Sequence, residues 1–141
     1  MTIKVTGLND FNGAINSFKV EMVKEAEDMA RRVAFAVDKA VVMMSPVDTG
    51  RFRANWQVTL NVPATGTVEH VPGIQGSTKA QNTQKALDQL SKVTKNFTLG
   101  DTIYVINNVV YGPRLNDGHS KQAPKNFVQI AVNAGVQEAK R

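Results

Sequence analysis

Ser45-Pro46-Val47-Asp48-Thr49-Gly50-Arg51-Phe52-Arg53-Ala54-Asn55-Trp56 divides this chain in two. The residues before it have the pattern of one long helix. The residues after it have the pattern of strands, an inserted segment and a closing helix. Pro46 ends the incoming helix, because a proline biases the residue before it out of the helical region. Asp48, Thr49 and Gly50 are turn residues: short side chains that bond nearby backbone, then a residue free to take positive φ. From Arg51 the chain alternates. Phe52, Ala54, Trp56, Val58 and Leu60 share one face, with Arg53, Asn55, Gln57 and Thr59 on the other, which predicts a strand over 51–60 with the chain's one tryptophan on its apolar face.

Working back from that turn, apolar residues recur at Ile15, Phe18, Met22, Ala26, Met29, Val33, Val37, Ala40 and Met44. The steps are threes and fours, the signature of a helix with a single apolar stripe over 14–44. Charged residues (Glu21, Lys24, Glu25, Asp28, Arg31, Arg32, Asp38 and Lys39) occupy the rest. Asn9 and Asp10 are placed as N-caps, and residues 1–9 as a short edge strand or arm. A helix of about 30 residues is a rod of roughly 45 Å. It either lies across its own sheet or bridges to a neighbouring subunit, and both readings stay open.

Working forward, Pro63 closes the first strand, Thr65-Gly66-Thr67 makes a hairpin turn, and residues 68–71 form a short return strand. Residues 72–95 are a variable insert: a loop, then a weak surface helix over 82–93. That helix has few apolar anchors and is expected to be the least stable element. Ile103-Tyr104-Val105-Ile106 is the strongest strand signal of the second half, with Phe97 and Leu99 pairing back across Gly100-Asp101. Residues 112–124 form an ordered loop rich in backbone-restricting residues. Residues 125–140 are helical, weakened at Gly135 by up to about 1 kcal/mol relative to alanine. The fold class is therefore α+β: a single domain over 1–141, in which a long N-terminal helix and a C-terminal helix pack on a small, mainly antiparallel sheet of three to four strands.

A chain of 141 residues buries enough apolar surface to need no disulfide or metal. It has no cysteine, so thiolate zinc sites are excluded and a reducing compartment is compatible. No apolar run approaches the roughly 20 residues of a membrane span, and the N-terminus lacks a signal-peptide pattern. The expectation is a soluble, cytoplasmic product that contacts no membrane. The formal net charge is +5, but the basic residues are dispersed, so charge alone does not make a nucleic-acid surface. His70 and His119 lack metal-ligand spacing. Asp117, His119 and Ser120 are adjacent on one loop, a poor start for a triad that must converge in space. No nucleophile elbow or phosphate-binding loop is present. Asp48, Asp101 and Asp117 are read as turn residues rather than as a metal cluster. No enzyme and no cofactor is expected.

The dividing stretch resembles the "P-V-D-T-G-R-L-R-x-S-W" segment of a family of tail-completion and neck proteins, of minor tail protein type, from long-tailed bacteriophages. Residues 111–128, from Tyr111-Gly112-Pro113-Arg114-Leu115 to Ser120-Lys121-Gln122-Ala123-Pro124-Lys125-Asn126-Phe127-Val128, are similar to that family's second block, "Y-A-x-x-L-E-x-G-x-S-x-Q-A-P-x-G-F-V". Asp48, Thr49, Gly50, Arg51 and Trp56 match the first block. Tyr111, Leu115, Gly118, Ser120, Gln122, Ala123, Pro124 and Phe127 match the second. The family's glutamate is Asn116 here, and its glycine before phenylalanine is Asn126.

The resemblance implies a virion protein of the head-to-tail connection. It would be made in the host cytoplasm, be non-enzymatic, and act by ring self-assembly and by binding adjacent connector and tail-tube proteins. Six-fold tails imply a hexamer. A tail terminator that stops tube polymerisation is the alternative in the same class, and a basic protein making non-specific contact with DNA is the alternative in another. Pro46, Gly50, Gly118 and Pro124 would set turns, and Trp56, Leu115 and Phe127 would be core. Arg51, Arg53, Arg114 and Lys121 are the interface candidates, arginine in particular being enriched at interfaces.

Overall fold

The computed structural model describes residues 8–141, with side chains from residue 12 onward. Helix α1, Leu8–Met44, spans 37 residues and stops two residues before Pro46. Asn9 and Asp10 therefore lie inside the helix rather than capping it, and most of the arm read over residues 1–9 falls outside the described residues. A one-turn helix α2, Arg51–Ala54, leads into strand β1, Trp56–Leu60. Helix α3, Lys79–Thr94, strand β2, Ile103–Asn107, a short helix α4, Gly112–Asn116, and helix α5, Phe127–Ala139, complete the chain. β1 and β2 form a two-stranded antiparallel sheet with Trp56 opposite Asn107 and Leu60 opposite Ile103. The fold is α+β: the long N-terminal helix packs on the C-terminal helix beside this small sheet.

The core gathers Val41 and Val42 of α1, Phe52, Trp56, Ala86 of α3, Val109, Ala123, and Phe127 and Ala131 of α5. Phe52 is central, with Trp56 and Phe127 edge-on to it at 5.9 and 6.1 Å between ring centroids, the arrangement the ring quadrupoles favour. α5 reaches close contact because Gly135 has no side chain. A Cβ there would lie 2.7 Å from the Val37 Cα and 2.8 Å from the Ala36 carbonyl oxygen. The glycine that weakens the helix in isolation is thus what lets it pack.

Several expectations change. The strand over 51–60 begins only at Trp56. Residues 52–58 are all buried, and apolar alternation cannot separate strand from helical turn where both faces are covered. Among the described residues the sheet has two strands, not three or four. Residues 68–71 form no return strand, because their backbone groups are met by side-chain amides. The Val68 N–H donates to Asn55 Oδ1 at 2.7 Å and its carbonyl accepts from Asn55 Nδ2. Val71 is held the same way by Asn82. The free edge of β1 is met by Gln89 of α3, which accepts from Val58 N–H and donates to the Trp56 carbonyl. Three carboxamides do what a third strand would do. Phe97 and Leu99 pair with nothing across Gly100; Phe97 is buried while Leu99 stands in a turn closed by Thr98 and Asp101. Asp38, one of the charged residues off the apolar stripe, is fully buried.

Candidate functional site

The two motif blocks lie far apart in sequence and meet in the fold. The incoming helix ends at Met44 and Pro46 turns the chain. The Gly50 φ of 88° then starts α2, with the Ala54 N–H donating to the Gly50 carbonyl at 3.0 Å. Gly50 is required on two counts. Its backbone is left-handed, and a Cβ would stand 2.0 Å from Asn82 Nδ2. Gln122 of the second block locks onto Val47 of the first: its Nε2 donates to the Val47 carbonyl and its Oε1 accepts the Val47 N–H, both at 2.8 Å. Gly112 lies so close to Phe52 that a Cβ would meet the ring at 3.0 Å. The Arg51 guanidinium sits 5.9 Å over the ring of Tyr111.

Trp56 Nε1 donates to Ser45 Oγ at 2.6 Å, and that hydroxyl donates to the Val41 carbonyl. The tryptophan is thereby pinned to the last turn of α1. Arg53, an interface candidate by sequence, is instead internal at 3% exposure. Its guanidinium donates to the carbonyls of Met43 and Ser45 and to Thr83 Oγ1. Burial lowers its pKa from the ordinary arginine value. The carbonyls it meets are the orphan acceptors at the C-terminal end of α1, so a cation there also suits the helix dipole. Arg31 treats α3 alike, donating to the carbonyls of Thr94 and Phe97.

Above this knot is a hollow of about 380 Å³ lined by Pro46, Asp48, Gly50, Phe52, Tyr111 and Leu115, with Thr49, Ser120 and Gln122 at its edge. Its polar side chains are engaged with backbone groups, some nearby in sequence and some distant. Asp48 Oδ1 accepts the Gln75 N–H, Thr49 Oγ1 accepts the Arg51 N–H, and Ser120 Oγ accepts the Gln122 N–H. Burial pushes the Tyr111 hydroxyl pKa up, against the opposing effect of Arg51. Beside the hollow the arrangement sets a cation, Arg51, over an aromatic face, Tyr111. Arg114, Lys121 and Pro124 are exposed near it, Arg51 and Leu115 are half-buried, and Trp56 and Phe127 are core. Gly118 takes a φ of 102°.

Two of the departures from the resembled pattern, Asn126 and Asn116, have physical roles. Asn126 takes φ 62°, a left-handed conformation that asparagine tolerates better than most residues. Asn116 Oδ1 accepts the Val128 N–H in the first turn of α5. Sequence reasoning missed Asn82, Asn55, Gln89 and the internal role of Arg53, since nothing local distinguishes an amide or guanidinium that finds its partner across the fold. Among the described residues no three His, Asp or Glu side chains group as metal ligands, and no helix is long and apolar enough to cross a membrane. No protein-family model, no curated protein and no solved structure matches the chain.

Proposed function

We propose that the protein is a structural component of the phage head-to-tail connection, acting by self-assembly and by binding neighbouring connector and tail proteins. The observation that carries the reading is the union of its two motif blocks. The two resembling blocks, 45–56 and 111–128, form one interlocked unit through the matching residues Gln122 and Val47 and Arg51 and Tyr111, and through Phe52 and Gly112, which stand where the pattern has leucine and alanine. The shared pattern is thus accounted for as a fold-defining knot with a polar rim, which suits a docking part better than a reactive centre. Deleting the gene from the phage that carries it tests the reading. Full heads beside unjoined tails of normal length are expected. Abnormally long tails would replace it with the terminator reading, and infectious particles of normal form would overturn it.

A further inference from the structure

The N-terminal half of α1 stands away from the body. Residues 12–26 are all exposed, yet they carry Ile15, Phe18 and Met22 at helical spacing, with Phe18 60% and Met22 55% exposed. Further along, at Val37 and Ala40, the same stripe is the side of α1 on which α5 packs. The uncovered stripe is therefore a continuation of an internal helix–helix contact. Single exposed apolar residues need no explanation, but a row of them along one helix does.

Charge on α1 is divided lengthwise. Residues 8–30 hold five acidic residues and two lysines, in a chain whose formal net charge is +5. Glu21 and Asp28 lie seven residues apart, and so do Arg32 and Lys39. Seven residues are close to two turns, so each pair shares one side of the helix, and all four side chains belong to exposed residues. Asp28 also meets Arg31 within the helix. Asp28 and Arg32 are four residues apart and so neighbours on the helix, whereas the outer members, Glu21 and Lys39, lie 18 residues apart on one rigid rod and cannot meet within a chain, so the two pairs are left incompletely matched there. They match in spacing between two chains. Beside the basic pair, α1 and α5 leave a groove of about 370 Å³ lined by Phe35, Ala40, Met43, Ala134 and Gly135, with Lys39 and Glu138 also at it; Phe35 and Met43 are 55% and 49% exposed, and Glu138 meets Arg141.

We infer that the exposed half of α1 docks in the α1–α5 groove of a second copy, its Phe18 and Met22 between Phe35 and Met43 and its Glu21 and Asp28 against Arg32 and Lys39. Arms pairing with one another would set acidic faces together, so the arm-on-body contact is favoured. Such a contact joins unlike patches and propagates from copy to copy, closing into a ring when the rotation allows. The inference rests on the self-assembly reading and names its contact.

Light scattering of the full chain over a wide range of concentration tests it. The expected mass is a multiple of the 15.4 kDa chain. Arg32→Glu with Lys39→Glu should reduce it to one chain, as should Glu21→Lys with Asp28→Lys. All four substitutions in one chain should restore the assembly, which a merely structural role for these residues would not do. Phe18→Ser with Met22→Ser should also give single chains, with unchanged circular dichroism of the body. A wild-type mass of one chain at every concentration overturns the inference. An assembly indifferent to the charge reversals also overturns it, while leaving self-assembly through another contact intact. The gene deletion tests the head-to-tail reading separately in either case.

Discussion

Two side chains in the interior have opposite standing. Asp38 is fully buried, and neither carboxylate oxygen meets a hydrogen-bond partner. Burial raises its pKa from 3.8 to about 7. The folded state thus keeps a proton that the unfolded chain has released, and stability falls as pH rises from about 4 through 7. The contribution is whole below the unfolded value and lost above the folded one. Asp38→Asn removes the ionisation and should flatten that part of the pH–stability curve, with a gain above pH 7 of at most about 4 kcal/mol. Unfolding midpoints of both proteins between pH 4 and 8 are the check; parallel curves would reject it. Arg53, by contrast, meets carbonyls at the end of α1. Arg53→Met strands those acceptors and should cost roughly 2–4 kcal/mol in urea unfolding. A variant of unchanged stability but altered assembly would return Arg53 to the interface role that its sequence position suggested.

At the scale of elements, α5 and α1 give a sharp test of packing against propensity. Alanine is the better helix former by about 1 kcal/mol, so Gly135→Ala would stabilise an isolated α5. In the fold the new methyl meets the backbone of α1 at Ala36 and Val37, which cannot yield as a side chain does. Packing wins, and the substitution should destabilise by about 1–3 kcal/mol in urea unfolding. Gly13→Ala, with nothing within 4 Å, should instead raise the helicity of the exposed half of α1 by circular dichroism. The long helices α1, α3 and α5 were legible in the sequence because their stripes are local and periodic, whereas the one-turn α2 was read as strand and the short α4 as loop; α1 ends where Pro46 says, and Gly50 takes the positive φ its turn requires. The strand count was not legible. Residues 68–71 look like a strand, and only contacts with Asn55 and Asn82 show that amides replace the ladder. The site divides the same way: its turn was readable, whereas the bond between Gln122 and Val47 spans 75 residues. Nor is α3 loosely held. Asn82, Ala86 and Leu90 bury one residue per turn, and Arg31 closes its C-terminal end.

For the whole molecule, the chain behaves as a body with a projecting rod. Nothing in residues 12–26 is covered, whereas the Glu27 carboxylate accepts the Leu99 N–H and begins the part of α1 that the body holds. Stability resides in buried apolar surface, and the rod buries none within its own chain. An isolated helix of about 15 residues is marginal in water, so the rod adds little to folding and gains order only from what covers it. A chain beginning at Ala26 should therefore keep the unfolding midpoint of the full protein, compared at dilutions where both are single chains. The two should part company in amide hydrogen exchange. In the full protein, amides of 12–26 should exchange first when it is dilute and become protected as concentration rises. A large loss of midpoint on truncation would mean that the rod is held by its own chain after all. Exchange in 12–26 that is slow at every dilution would say the same, since protection without a second copy requires a cover within one molecule.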